Sequence, residues 1–324
     1  MNQSGVADRN KNVAVVTPLF NDWSCLPIFI SGLARACGSD TSISLFVVDD
    51  GSTDLIDLTE TVAPGEIHSM DVLHLGCNLG HQRAIAAGIV EAVARNEFDA
   101  IVVIDVDGED RPEDIPVLLE EHWRRPESII VAQRRRRSEA VRFKVFYSIY
   151  KWIFTVLTGK VLDFGNFVVL PISVAQRMVL MSELWNHFPA TVMRTKVRIV
   201  KVPLDRQPRS SGQSRMDFTA LVNHGLAAIA VFVDIVFVRL LVLTAVVTTV
   251  FIGLAASALA LRLGTSLAIP GWATTIVGFA ILGLIQMLGL LVVVTFLALS
   301  TRSLTSPPPS TFVGQYVREI QRIH

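Results

Sequence analysis

The sequence predicts an α/β domain built on a mostly parallel sheet, followed by two membrane-crossing helices. Three observations carry this. Short β-branched runs alternate with helical segments from Val13 to Arg209, the pattern of a parallel sheet covered on both faces. Residues 240–261 and 273–299 contain no charged side chain. Finally, Asp105 and Asp107 stand at the end of an apolar run, where a strand would deliver them to the carboxyl edge at which open α/β sheets bind ligands.

Residues 1–12 are polar and lack an apolar core segment, which predicts no signal peptide and a cytosolic domain after them. Residues 13–17, 43–48, 72–75, 100–104 and 128–132 read as strands, each a short apolar run rich in β-branched side chains. Residues 26–36, 80–95 and 112–123 read as the intervening helices, and 198–203 as a further strand leading into a basic loop. In residues 141–158, Lys144, Ser148, Lys151 and Thr155 recur at helical spacing. They make a narrow polar stripe among Phe143, Phe146, Tyr147, Tyr150, Trp152 and Phe154. Such a helix suits the headgroup region of a bilayer, although a core helix with lysine stems reaching outward would show the same pattern. Residues 218–238 are similarly apolar but carry Asn223, His224 and Asp234, and are expected to form a second interfacial helix.

The stretch 240–261 contains 22 residues; at about 1.5 Å per residue it reaches roughly 33 Å, enough for a hydrocarbon core of about 30 Å. The second stretch is longer than required and is expected to tilt. Arg239, Arg302, Arg318 and Arg322 fall on the proposed inner side, against Arg262 in the outer loop, in keeping with positive-inside topology. The expected layout is a polar tail (1–12), an α/β domain (13–217), an interfacial helix (218–238), a two-span region (239–301) and a cytosolic tail (302–324). That layout describes a multi-pass protein of the inner (plasma) membrane. Acids and bases balance at 29 each, and nucleic acid is not an expected partner. Cys25, Cys37 and Cys77 show no metal-ligand spacing and fit a reducing compartment.

Four strand ends carry polar groups on one side of the expected sheet: Thr17-Pro18-Leu19-Phe20-Asn21-Asp22, Asp49-Asp50-Gly51-Ser52-Thr53-Asp54, Asn78-Leu79-Gly80-His81-Gln82-Arg83 and Asp105-Val106-Asp107-Gly108-Glu109-Asp110. Together they describe a pocket. A hard divalent cation carrying a substrate diphosphate would neutralise the acid pair. Alone, the acidic loop could equally open the next helix, with Asp110 as cap and Pro112 in the first turn.

The order TPLFN, VDDGSTD, NLGHQRAIAAG and DVDGEDRPED resembles the cytosolic domain of family 2 glycosyltransferases with the GT-A fold. The later His187-Phe188-Pro189-Ala190, Lys201-Val202-Pro203 and Arg206–Arg215 segments are similar to those of the polyprenyl-phosphate glycosyltransferases, which include dolichyl-phosphate mannose synthases and bacterial undecaprenyl-phosphate glucosyltransferases. The resemblance implies an inverting transfer from an NDP-sugar (UDP- or GDP-linked) to a polyprenyl, in bacteria undecaprenyl, phosphate in the bilayer. It implies that Asp50 accepts from the donor base, with Thr17 and Pro18 shaping the wall beside it. Asp105 would lie near the ribose and the metal, Asp107 would be the principal ligand to Mg²⁺ or Mn²⁺, and Glu109 would be a third ligand or would alter donor choice. Arg83 would assist the diphosphate or pair with Asp49 or Asp54. Arg134, Arg206, Arg209 and Arg215 would hold the acceptor phosphate, and Arg135–Arg137 would attract anionic headgroups. A phosphomonoester is already largely dianionic at neutral pH, so it needs cations to align it and no strong base.

The chain departs from the family pattern at Gly108-Glu109, at Val168, where a basic residue is common, and at Arg215, where Lys is usual. Two alternatives remain open on the residues alone: transfer to another membrane glycolipid or polysaccharide, and a catalytically silent membrane subunit. Oligomeric state is also open, a homo-oligomer being one option.

Overall fold

The computed structural model describes residues 11–36, 41–54, 67–134, 141–205, 218–264, 271–303 and 307–323. Its strands are β1 (Lys11–Leu19), β2 (Thr41–Asp49), β3 (Ser69–Leu75), β4 (Ala100–Val103), β5 (Ile129–Arg134), β6 (Val168–Pro171), β7 (Ile199–Leu204) and β8 (Val317–Arg322). Its helices are α1 (Leu26–Ala36), α2 (His81–Arg95), α3 (Ile115–Arg124), α4 (Val141–Thr158), α5 (Ile172–Met178), α6 (Phe188–Arg194), α7 (Phe218–Ala230), α8 (Val233–Gly264), α9 (Trp272–Ser303) and α10 (Pro309–Phe312). The chain divides into two compact units. One comprises residues 1–151, 161–231 and 307–324; the other comprises 152–160 and 232–306.

In the first unit the strands form one sheet in the order β7-β5-β6-β4-β1-β2-β3-β8. β1, β2, β3, β4, β5 and β7 run one way; β6 and β8 run against them. The expected mostly parallel sheet is therefore mixed. Alternation within the strands splits the core between the two faces. Val13, Val15, Leu45 and Val47 pack with α1 and α3, and Ala14, Val16, Phe46 and Val48 pack with α2 and α6. Helix α2 sits close to β1 because Gly88 faces the strand; a Cβ there would lie 2.4 Å from a Val16 methyl. That close approach fixes where the amino end of α2 reaches the sheet edge.

Three features of the layout go beyond what the sequence announced. Within the expected tail, Val317–Arg322 pairs antiparallel with β3 as an edge strand, and Ile323 N–H donates to Met70 O. Buried Asp71 explains the attachment, accepting from Arg95 at 2.9 Å and from Arg322 at 3.2 Å. Residues 218–238 are not one helix. The helix breaks at Val231 and Phe232, both buried, and Arg194 Nη1 donates to Val231 O at 2.8 Å. Lastly, β6 is a strand that the sequence did not announce; its pairing with β4 and β5 puts the preceding turn at the carboxyl edge of β4.

In the second unit, α8 and α9 contain stretches of 32 and 29 residues, each holding an 18-residue window of mean hydropathy 2.6, that are long and apolar enough to cross a membrane. They pack closely, since a Cβ on Gly283 would lie 2.6 Å from the Phe251 ring. Arg239 donates to the carbonyls of Thr155 and Val156 at the end of α4, where the last carbonyls of a helix run out of helical partners; Thr155 O also accepts from Gly159 N–H at 2.8 Å. On α4, Trp152 is 67% exposed and Ile149 52%, while Phe154 is buried edge-on against Phe232. The polar stripe expected on this helix falls partly on side chains outside the described residues.

Candidate functional site

Because β1, β2 and β4 are parallel and in register, with Leu19 opposite Asp49 and Val16 opposite Val103, their carboxyl ends open at one edge. A cavity of about 230 Å³ lies there, lined by Pro18, Phe20, Asp22, Asp50, Asn78, Gly80, His81, Asp105, Val106 and Asp107. The acid pair and the other three strand ends do converge.

The walls are set by hydrogen bonds between loops. Asn21 N–H donates to Ser52 Oγ, and Thr53 N–H to Asn21 Oδ1, each at 2.9 Å. Asp49 accepts from Ser52 N–H at 2.9 Å and meets His74 Nδ1 at 2.8 Å. Gly51 has φ +72°, a region that favours glycine, and a Cβ there would lie 2.7 Å from the Cys77 carbonyl carbon. Asp50 is buried, and its two oxygens accept from Leu79 N–H (2.7 Å) and Gly80 N–H (2.9 Å). Burial raises its pKa despite those two donors. In the cavity Asp50 thus holds the turn that presents His81, and its oxygens retain lone pairs for a further donor.

Asp105 meets His81 Nε2 at 3.2 Å and accepts from Asn166 Nδ2 at 3.2 and 3.3 Å. Burial opposes protonation of His81, but the charge and hydrogen bond of Asp105, with the charges of Asp107 and Asp50, raise its pKa overall. Asp107 Oδ1 accepts from Glu109 N–H at 3.0 Å, a turn that leaves the carboxylate on the cavity wall. Among the described residues no three Asp, Glu, His or Cys side chains form a group that could hold a metal. The main chain of Glu109 braces Asp107. Two carboxylates with oxygen donors fit a hard cation that arrives with its substrate's oxygens.

Other expected residues fall elsewhere. Thr17 is wholly buried and does not line the cavity. The Arg83 guanidinium lies 5.7 Å from the Trp185 ring centroid, and Trp185 packs against Phe312 and Tyr316 of the returning tail. Asp49, a partner expected for Arg83, is engaged by His74 instead. The Arg134 side chain and all of Arg206, Arg209 and Arg215 lie outside the described residues. Main-chain pairing does set Arg134 opposite Leu204 in parallel strands. The carboxyl ends of β5 and β7 therefore lie side by side, at the same edge as Asp105.

Sequence reasoning missed a polar group behind the acid pair. His187 caps α6, its Nδ1 accepting from Ala190 N–H at 3.2 Å, and its Nε2 lies 3.1 Å from His224 Nε2 on α7. Burial, then the neighbouring His224, lowers the His187 pKa to about 3. Burial also lowers that of His224, with His81 lowering and Asp105 raising it. His187 lay inside a quoted motif; His224 had no signal beyond being a lone polar residue in an apolar helix.

A profile described as Glycosyl transferase family 2 matches residues 14–185, more than half of the 324 residues. The chain belongs to that family. It is 28% identical over 221 residues to the undecaprenyl-phosphate 4-deoxy-4-formamido-L-arabinose transferase of Pectobacterium carotovorum subsp. carotovorum (strain PC1), covering 67% of this chain and 66% of the relative. To the protein of that name from Klebsiella pneumoniae (strain 342) it is 27% identical, covering 66% of this chain and 65% of that one. The chain thus matches just under two thirds of these relatives' length. Among solved structures, glucosyl-3-phosphoglycerate synthase from Mycobacterium tuberculosis, crystallised with Mn²⁺, UDP-glucose and phosphoglyceric acid, aligns with TM-score 0.50 at 16% identity, over 70% of this chain and 80% of that one. At that identity the likeness speaks for the fold, which is GT-A.

Proposed function

We infer that this chain is an inverting glycosyltransferase that moves a sugar from a nucleoside diphosphate to a polyprenyl phosphate in the membrane. The carrying observation is topological. The cavity walled by Asp50, Asp105 and Asp107 lies at the same sheet edge as the strand ends from which the arginine-bearing segments 135–140 and 206–217 depart. Transfer between two phosphorylated substrates requires cations for the acceptor beside the donor pocket, and the sequence carries arginines directly after both of these strands. Both relatives are undecaprenyl-phosphate 4-deoxy-4-formamido-L-arabinose transferases, which supports the same acceptor.

Asp105 and Asp107 would hold Mg²⁺ or Mn²⁺ together with the donor diphosphate. When bound, that ion offsets the charge growing on the leaving nucleoside diphosphate. Asp50 and Pro18 form the wall for the nucleoside, and its base is UDP- or GDP-type. Arg134, Arg206, Arg209 and Arg215 supply guanidinium forks that match phosphate geometry. They align a dianionic acceptor for in-line attack at the anomeric carbon: the phosphate oxygen forms the new C–O bond as the bond to the donor diphosphate breaks. The apolar hairpin would seat the enzyme in the plasma membrane with its catalytic unit on the cytosolic side.

The test incubates the detergent-purified full chain with a panel of UDP- and GDP-sugars, Mg²⁺ or Mn²⁺, and undecaprenyl phosphate. The expected result is a chloroform-extractable, mild-acid-labile sugar lipid formed from one donor. Transfer only to a non-phosphorylated glycolipid, or no transfer from any donor, would overturn the proposal.

A further inference from the structure

We propose that Gln82 and Asn166 are positioning residues that orient the Asp105 carboxylate through a one-way chain of amide hydrogen bonds. The chain starts at a donor that cannot turn round. Phe188 N–H opens helix α6, where a backbone N–H has no helical partner, and it donates to Gln82 Oε1 at 2.6 Å in a buried setting. That contact fixes which way the Gln82 amide faces. Its Nε2 then donates to Asn166 Oδ1 at 3.3 Å, which fixes the second amide in turn. Asn166 Nδ2 is left to face Asp105, 3.2 and 3.3 Å from the two carboxylate oxygens; it also lies 2.9 Å from His81 Nε2, which accepts from it only in the neutral Nδ1–H tautomer.

The order of donors is what matters. An amide carries donor and acceptor on the same planar group, so reversing Asn166 would aim its carbonyl oxygen at the Asp105 carboxylate, and reversing Gln82 would set its NH2 against Phe188 N–H and its oxygen against Asn166 Oδ1. Each group is set by an element whose place the core fixes: Phe188 is fully buried on α6, Gln82 is nearly so on α2, and Asn166 precedes β6, which is hydrogen-bonded to β4. Asp105 is thus held by three elements besides its own strand. A carboxylate presented in one orientation before the donor arrives loses less freedom on binding.

The inference rests on the donor-site role given to Asp105, and the experiment separates the two. Mn²⁺-dependent binding of UDP and of GDP to the full chain is measured by calorimetry without acceptor or turnover, alongside thermal unfolding. Gln82→Glu keeps an oxygen for Phe188 N–H but has no N–H for Asn166. Binding of the preferred nucleotide is expected to weaken tenfold or more, with the unfolding temperature little changed. Asn166→Asp, which sets an acceptor and a like charge against Asp105, is expected to do the same. Asn166→His, which restores a ring N–H donor, is expected to recover part of the loss. If Asp105→Asn abolishes binding while folded Gln82→Glu and Asn166→Asp bind like the wild type, the positioning role is wrong. If Asp105→Asn itself binds like the wild type, the donor-site role fails first.

Discussion

At the residue scale, the site divides into groups that face the cavity and groups that hold them. Asp107 faces it, braced by the main chain of Glu109. Asp107→Ala is therefore expected to abolish transfer, by a factor of a thousand or more, while leaving the fold intact. Full activity of that variant without added metal, in the sugar-lipid assay, would remove Asp107 from the metal role. Arg209→Ala is expected to raise the KM for the lipid phosphate at least tenfold and leave the KM for the sugar nucleotide near the wild-type value; equal effects on both would count against an acceptor role.

His187 belongs to the holding group and titrates accordingly. Its pKa is lowered from 6.5 to about 3 in the fold, so between those values the unfolded chain binds the extra proton and stability falls as pH falls. At pH 5 this amounts to about 2 kcal/mol from His187 alone. His187→Asn keeps a side-chain oxygen for the α6 cap and removes the titrating ring. Chemical unfolding followed by circular dichroism should show a flatter stability curve from pH 6.5 to 4.5 for the variant. An unchanged slope would place the acid sensitivity elsewhere.

At the element scale, what the sequence disclosed follows from how each element is stabilised. β1, β2 and β4 were legible because strands buried on both faces must be continuously apolar, and the convergence of Asp50, Asp105 and Asp107 follows from their parallel register. β6 was not legible: four residues after a turn carry no periodicity, and only pairing with β4 and β5 makes them a strand. β8 was harder still, since Val-Arg-Glu-Ile-Gln-Arg reads as polar tail, and the Asp71–Arg322 contact that secures it spans 251 residues of sequence. The break at Val231–Phe232 carries no Gly or Pro, so composition ran the helix through it. The positioning amides were hidden for a related reason: Gln82 and Asn166 matter through one backbone N–H and each other, contacts that only the fold assembles.

β8 also alters what truncation should do. Cutting after Val231 removes the apolar helices but also strips β3 of its neighbour, leaving an open strand edge, and takes Val313 out of the core. Burial of a valine alone is worth about 2 kcal/mol, which for a domain of this size lowers the melting temperature by roughly 4–8 °C. A variant that replaces residues 232–306 with a flexible Gly/Ser linker and keeps 307–324 should melt higher than the simple truncation and remain monomeric on gel filtration. Equal melting temperatures would show that β8 contributes nothing.

At the scale of the whole molecule, the apolar hairpin is an insertion in the catalytic unit: chain on both sides of residues 232–306 belongs to one compact body. If both helices span the bilayer, as proposed, they return the chain to the side from which it left, as an insertion into one compact body requires. If the hairpin's contribution is to bring enzyme and long-chain acceptor into the same two-dimensional phase, it acts by raising effective concentration and leaves the chemistry untouched. The linker variant lacking 232–306 should then keep its rate on a short, water-soluble prenyl phosphate. On undecaprenyl phosphate in vesicles its rate should fall at least tenfold relative to the full chain. Comparing the long-to-short rate ratio of the two proteins, at matched donor and Mn²⁺ concentrations, isolates that contribution from any loss in the donor site. A ratio that stays constant would mean that the acceptor is recruited by the catalytic unit itself, with the exposed Trp152 and Ile149 on α4 the first surface to alter.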